Sequence, residues 1–337
     1  MAAYLYLLVA ALCVLCAQAR EHEKTSLLMP GAVVTEPETY LCHALKVDGD
    51  HAHYITEFVP HATMQKAHHM LLFGCAQPGS HDKIWNCGEM TNGGDDSDMY
   101  EQAPPCAEGS TIMYAWGRDA PALKLPQDVG FKVGGDSSIR YLVVQMHYMH
   151  ASNIPDHSGL DVISTTKELP KQAATLLMAT DGAIGPKSKE NFETACVIDE
   201  DVELHPFAFR THTHEHGKAV TGWKVTESDD ESKDNWELIG KHDPMQPQMF
   251  YPVADDKMVI KGGDVVAARC HMENESDEPV FVGGTGKDEM CNFYMMYWAD
   301  NGGILEDNTC FSPGPPDYYW AKDAGLTNIP EKEASEV

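Results

Sequence analysis

Apolar and polar positions alternate with a period of two in short runs along most of this chain. The blocks "HYITEFV", "MLLFGC", "IRYLVVQMHY", "FAFRTHTH", "KAVTGWKV", "GDVVAARCHM" and "EMCNFYMMYW" are each of strand length, and clusters of Gly, Pro, Asn and Asp separate them. Such alternation sends successive side chains to opposite faces of a strand, and no long segment repeats at 3.6 residues. The pattern predicts an all-β protein of two sandwiches. The stretch "KELPKQAATLLMATDGAIGP" (167–186), flanked by Pro and Gly, marks the boundary, with the crossover near Leu169 to Lys171. The expected organisation is therefore an N-terminal domain over 36–169, a C-terminal domain over 172–325 and a flexible tail over 326–337.

The run "FAFRTHTHEHGK" (207–218) carries Arg210, His212, His214 and His216 on every second position. On a strand these share one face, and Phe207, Phe209, Thr211 and Thr213 share the other. The same alternation aligns Gln145 with His147 in "IRYLVVQMHYMH", and Met290 with Asn292 and Tyr294 in "DEMCNFYMMYW", where Cys291 points to the opposite side. The adjacent pair His68 and His69 in "KAHHMLLFGC" breaks the rule. Both can reach one metal only if the backbone twists, bulges or leaves the strand there.

Ligand softness narrows the metal. Imidazole suits several transition metals, whereas a thioether such as Met290 is a poor zinc ligand and a good one for Cu(I). A His, His, Met set points to copper, and a second, all-histidine set would suit an enzyme that delivers two electrons to oxygen.

Composition adds compartment and excludes partners. Residues 1–19, "MAAYLYLLVAALCVLCAQA", are apolar and end in Ala17-Gln18-Ala19, as in a signal peptide cleaved before Arg20, although no basic residue opens the segment. The run is shorter than the roughly 20 residues of a membrane span, so the expectation is a secreted or secretory-granule protein without stable membrane insertion. Eight cysteines remain after cleavage, an even set with no C-x-x-C spacing, which reads as four disulfides rather than a thiolate metal site. The formal charge of −28 makes nucleic acid and anionic membranes poor partners. The acidic clusters at 95–101 and 227–234 lack the ligand spacing of an EF-hand loop and read as solvated loops. A sequon, Asn274-Glu275-Ser276, suits a glycoprotein.

The blocks "TYLC", "HHMLLFGC", "YAWGRDAP", "VGFKVGG", "QMHY", "FRTHTHEHGKAVTGW", "YPV", "GDVVAARC" and "GGTGKDEMCNFYMMY" occur in one order from about Thr39 to Cys310. In these the chain resembles the peptidylglycine α-hydroxylating monooxygenases, copper- and ascorbate-dependent enzymes of peptide amidation. The resemblance implies two jelly-roll-like β-sandwich domains with an open cleft between them. It implies a first, electron-transfer copper on His68, His69 and His147, with Gln145 as its neighbour. A second, catalytic copper falls on His212, His214 and Met290, with Arg210, Asn292 and Tyr294 binding substrate. His216 matches no ligand and reads as a turn or surface residue. The implied disulfides are Cys42–Cys87, Cys75–Cys106, Cys196–Cys310 and Cys270–Cys291.

The implied reaction uses two copper ions, ascorbate as reductant and O2 to hydroxylate the terminal glycine Cα of glycine-extended peptides, by a monomer. Bifunctional relatives continue into a lyase domain, whereas this sequence stops soon after Cys310, so a separate lyase is expected to act on the peptidyl-α-hydroxyglycine. Two alternatives stay open: a related copper monooxygenase acting on a phenethylamine, and a secreted copper-binding protein without turnover.

Overall fold

The computed structural model describes residues 22–88, 99–227, 233–283 and 287–337. The expected leader and most of both acidic clusters lie outside the described residues. Strands are nearly all of the regular structure in the described chain, and no helix in it is long and apolar enough to cross a membrane.

In the first half, strands Glu23–Leu28, Gly159–Thr165, Ala52–His61 and Val129–Gly134 are hydrogen-bonded in that order. They share an apolar core with a five-stranded sheet ordered Trp85–Asn86, Thr39–Lys46, Tyr141–Tyr148, His69–Cys75 and Thr111–Gly117. In the second half, strands Lys171–Thr180, Cys291–Asp300, Glu203–His212 and Tyr251–Pro252 form one sheet. A four-stranded sheet of Ser188–Val197, Val265–Asn274, Gly217–Glu227 and Asp234–His242 forms the other. A short parallel pairing, Val129 with Lys171 and Gly130 with Gln172, joins the front sheets of the two halves.

Strand Cys291–Asp300 shows what period two achieves here. Cys291, Phe293, Met295, Tyr297 and Ala299 enter the second core, while Tyr294 and Met296 belong to the apolar cluster of the first half. The central sheet of the second half is thus covered on both faces, and the halves meet along an apolar seam that also takes Ala173, Ala208 and Phe250. Fully burying a large apolar side chain is worth roughly 1.5–3 kcal/mol. Several in one seam favour a fixed arrangement over two free domains.

Behind the seam, Phe209 stacks on Phe293 with ring centroids 5.5 Å apart. A Cβ at Gly222 would fall 2.3 Å from the Phe293 ring, and one at Gly240 2.3 Å from the Phe209 ring. Glycine at both positions lets the four-stranded sheet close on this aromatic pair. Phe207 does not share its face, contrary to simple alternation. A bulge between Pro206 and Ala208 turns it toward the first-half cluster.

Four disulfides are formed, Cys42–Cys87, Cys75–Cys106, Cys196–Cys310 and Cys270–Cys291. Asn274 of the sequon is buried, and its side-chain amide donates to the Gly185 and Glu278 carbonyls at 3.0 and 2.8 Å. The folded chain therefore offers no accessible amide there for a glycan.

Both ends of the described chain depart from expectation. Residues 23–28 are an integral strand of the first half, paired with Gly159–Thr165. The expected flexible tail is docked: helix Glu331–Ser335 buries Ala334, whose carbonyl accepts from Thr221 Oγ1 at 3.2 Å. The cause is a buried charge. Arg269 donates from Nε to Glu193 Oε1 at 2.7 Å and from Nη1 to Glu331 Oε2 at 2.7 Å, with its guanidinium 4.6 Å from the Trp320 ring centroid. Trp320 N–H donates to the other Glu193 oxygen at 2.6 Å. Burial pushes the Glu193 carboxyl up, and the Arg269 cation opposes that shift. Arg269→Met strands this carboxylate and is expected to cost about 3–5 kcal/mol. Denaturant unfolding followed by tryptophan fluorescence measures it, and an unchanged midpoint would refute the role assigned to the pair.

Candidate metal centres and the cavity between them

The first set of histidines sits in one cross-strand row. Gly117, His69, His147 and Tyr40 are register partners across the five-stranded sheet. His68 lies one residue before the strand His69–Cys75, at a bend, and its N–H donates to the His147 carbonyl at 2.9 Å. Leaving the strand is how two adjacent histidines come to face one point. The three Nδ1 atoms form a nearly equilateral triangle, with sides of 3.3, 3.4 and 3.3 Å.

A point equidistant from them lies about 1.9 Å from each, close to a metal–imidazole bond of roughly 2.0 Å. The neighbours prepare these nitrogens as acceptors. His147 Nε2 lies 2.9 Å from the Glu38 carboxylate, which takes its proton side and leaves the lone pair on Nδ1. Tyr40 stacks flat on the same imidazole at 4.1 Å. Burial, the largest cause, lowers His147 to about 4 despite Glu38 and holds His69 well below the usual imidazole range. It lowers His68 too, helped by the Arg118 cation. Three neutral imidazoles with converging lone pairs repel one another unless a cation sits between them, so the set fits a metal.

The second set is assembled differently. Strand alternation holds only for Arg210 and His212, because the strand ends at His212; His214 and His216 lie in the connection that follows. Opposite, Tyr294 pairs with Arg210 and Asn292 with His212, and the same antiparallel register carried on sets Met290 against His214. The connection is held by Glu289, a fully buried carboxylate that the sequence reading missed. Oε1 accepts from the His214 N–H and, at 2.8 Å, from the Met290 N–H, while Oε2 accepts from the His216 N–H at 2.8 Å. One oxygen thus joins the two segments that carry the imidazole and the thioether. His216 contributes its backbone N–H rather than a ring.

Hydrogen bonds also orient the rings. His212 Nδ1 donates to Gln248 Oε1, and His214 Nδ1 to the Asp288 carbonyl at 2.8 Å, which places both lone pairs on Nε2. His212 Nε2 is buried and has no hydrogen-bond partner. Burial holds this imidazole well below its usual range. An orphaned nitrogen beside a second oriented imidazole, with ring centroids 5.3 Å apart, fits a transition metal such as copper.

Both sets border one cavity of about 310 Å³ between the halves, where the resemblance implies a cleft. It is lined by His68, His69 and His147 from one side and by Arg210, His212 and His214 from the other. Of the other candidate residues, Met290, Asn292 and Tyr294 lie behind this lining, with Asn292 Nδ2 3.8 Å from Met290 Sδ. Gln145 is drawn away from it. It is fully buried and donates to the Gly88 carbonyl at 2.8 Å, next to the Cys42–Cys87 bridge. Gln248 binds His212 and also accepts from Arg210 Nε through its carbonyl at 2.9 Å. Only its adjacency to "YPV" could have flagged it in the sequence, whereas the acid immediately before Met290 was a visible signal for Glu289.

Two β-sandwiches that bring a three-imidazole cluster and a second pair of oriented histidines to one cavity define a protein with two candidate metal sites. Residues 25–155 match the N-terminal domain, and residues 171–323 the C-terminal domain, of the copper type II ascorbate-dependent monooxygenases. The chain belongs to this family. It is 38% identical over 310 residues to peptidyl-glycine alpha-amidating monooxygenase A of Xenopus laevis, covering 90% of this chain and 30% of that one. It is 37% identical over 298 residues to the Rattus norvegicus peptidylglycine alpha-amidating monooxygenase, covering 86% and 28%. Human dopamine beta-hydroxylase is 27% identical over 288 residues, covering 79% and 44%. The chain therefore spans about a third of the length of the amidating relatives it matches.

Glu289→Gln replaces an oxygen facing N–H donors with an NH2 group, at about 1–3 kcal/mol for each donor left unmatched. Bound copper, measured by elemental analysis after dialysis, should fall from two per chain to one with the first site retained. Two retained coppers would show that Glu289 does not position the second set.

Proposed function

We propose that the chain hydroxylates the Cα of the C-terminal glycine of glycine-extended peptides, giving a peptidyl-α-hydroxyglycine. The observation that carries this reading is Arg210. Arg210 is 2% exposed, no carboxylate pairs with it among the described residues, and Nη1 has no hydrogen-bond partner. A buried cation without a counter-ion is costly, and it stands on the wall of a cavity large enough for the end of a peptide. Tyr294, whose ring centroid is 5.0 Å from the guanidinium, turns its buried hydroxyl toward Arg210 and Asn292. A carboxylate accepting from Arg210 would satisfy the orphaned Nη1 and neutralise the buried cation, with the Tyr294 hydroxyl beside it. The same cation opposes a substrate bearing an ammonium group, which disfavours the phenethylamine alternative. A protein that only stored copper would need neither group.

Copper held by His68, His69 and His147 and by His212, His214 and Met290 would supply the one-electron chemistry that reduces O2 with two electrons and two protons, leaving one oxygen on the glycine and the other as water. The chain's own part is placement. Arg210 and His212 share a strand face, so a carboxylate fixed at the guanidinium sets the adjacent Cα beside the second centre. Gln248 couples the two by holding the His212 ring and the Arg210 Nε together. The product is the substrate class of a lyase that cleaves its C–N bond to amide and glyoxylate. The four disulfides support an oxidising compartment such as the secretory lumen.

Mass spectrometry of a short glycine-extended peptide incubated with the chain, copper, ascorbate and air should show gain of one oxygen on the terminal glycine. No gain with two coppers bound would move the function to another substrate. Arg210→Met should lower kcat/KM for the free-acid peptide by about a hundredfold while barely changing the low rate on its methyl ester, since only the former forms the charged pair. Equal losses on both would remove Arg210 from carboxylate recognition. Met290→Ile should keep the fold and the first copper and abolish turnover; a fully active, copper-replete variant would refute Met290 as a ligand.

A further inference from the structure

Most methionines of the described chain are buried, but Met64, Met99, Met149 and Met245 are exposed. A thioether at the surface adds little to a core, and three of these four border the cavities beside the histidine sets. Met245 lines the cavity between the halves. Met64 and Met149 line a second cavity, of about 360 Å³, built from residues of the first half.

The wall of this second cavity grows out of the segments that carry the first centre. Met64 stands four residues before His68, in a turn where the Lys66 and Ala67 N–H groups donate to the Thr63 carbonyl at 2.9 and 3.0 Å. The Met64 N–H donates to Asp119 Oδ1 at 3.0 Å, which ties the turn down. Met149 and His150 follow His147, just past the end of strand Tyr141–Tyr148. His68 lines this cavity as well as the one between the halves, whereas His69 and His147 line only the latter. Two thioethers and an imidazole thus stand behind one ligand of the first set. The His150 ring makes no hydrogen bond or ion pair among the described residues. Charge does not select the occupant, because the Lys66 ammonium and the Asp156 carboxylate share the wall. Softness does: thioethers with imidazole suit Cu(I) and are poor ligands for zinc, calcium or magnesium.

We propose that this cavity is a capture site for Cu(I), in which Met64, Met149 and His150 take up the ion and pass it to His68. This rests on the copper reading of the first centre. The transfer is ligand exchange: each Cu–N bond formed to the first set replaces a Cu–S or Cu–N bond of the capture site. The ion stays Cu(I) and no electron moves. Copper then reaches the first centre without crossing the volume assigned to the peptide.

The test follows copper uptake by the copper-free full chain under argon. Bleaching of the coloured Cu(I)–bicinchoninate complex gives the rate, and elemental analysis after dialysis gives the final load. The double variant Met64→Leu, Met149→Leu should take up one of its two coppers about tenfold more slowly than the parent and still end with two per chain. Its uptake of Cu(II) from a glycine complex, an ion with less preference for thioethers, should match the parent. In the parent, Ag(I), a redox-inert stand-in for Cu(I), added beyond two equivalents should shift the NMR signals of the Met64 and Met149 methyl groups. Either a parent Cu(I) rate in the double variant or unshifted methyl signals would overturn the capture site. Equal slowing of Cu(I) and Cu(II) would overturn it as well, since the variant would then have disturbed His68 itself. A parent chain that binds no copper at the three histidines loses the copper reading and the capture site together. One that fills both centres at rates indifferent to Met64 and Met149 loses the capture site alone.

Discussion

Arg210 faces Tyr294 and His212 faces Asn292 because strands Glu203–His212 and Cys291–Asp300 pair in one register, and a slip of one residue would turn each of these side chains into the core behind them. Several independent features hold that register. The Cys270–Cys291 bridge ties the start of the second strand to the sheet behind it. The stacked Phe209 and Phe293 rings fit a space cleared by two glycines. Beyond the last ladder bond, Glu289 extends the same alignment through backbone N–H groups, which is how His214 and Met290 come together without a strand to carry them.

The two centres show different solutions to the same requirement. The first lies in the middle of a sheet, where His69 and His147 are direct register partners and only His68 needs an irregular backbone. Its converging atoms are all Nδ1, so its geometry is set by main-chain pairing close to the ring. The second is built at a strand end, with lone pairs on Nε2, the more distant ring nitrogen, and each ring steered by an acceptor on Nδ1. A centre built that way depends more on its supporting groups, and three of them, Gln248, Asp288 and Glu289, lie outside the ligand set. A softer, more adaptable site at the strand end beside a rigid imidazole site suits unequal roles in handling oxygen and electrons.

Much of this was legible from residues alone. Period-two blocks gave the strands, and alternation placed Arg210 with His212 and Asn292 with Tyr294 because those positions lie within regular ladders. It failed at Phe207, where a bulge shifts the phase, and past His212, where the strand stops; neither event leaves a mark in binary pattern. The docked C-terminal helix was hidden for a different reason. Its sequence, "EKEASEV", is polar and short, and its anchor is the buried cation of Arg269, whose lack of a local partner is visible only in three dimensions. The ligand sets and disulfide partners came through resemblance, since counting cysteines and histidines leaves many pairings open. Gln145 lies on the same strand face as His147, yet its amide turns toward Gly88, a choice of side-chain direction that spacing does not encode.

The apolar seam has a consequence for how the centres cooperate. If the halves were joined only by a linker, the separation of the two metal sets would fluctuate, and electron transfer between them would wait on rare close approaches. Here the front sheets share a parallel pairing and a common cluster, and both histidine sets border a single cavity of about 310 Å³. Peptide bound at Arg210 would occupy space between the centres and displace water from it. Substrate binding and the path between the metals are then coupled through the same volume.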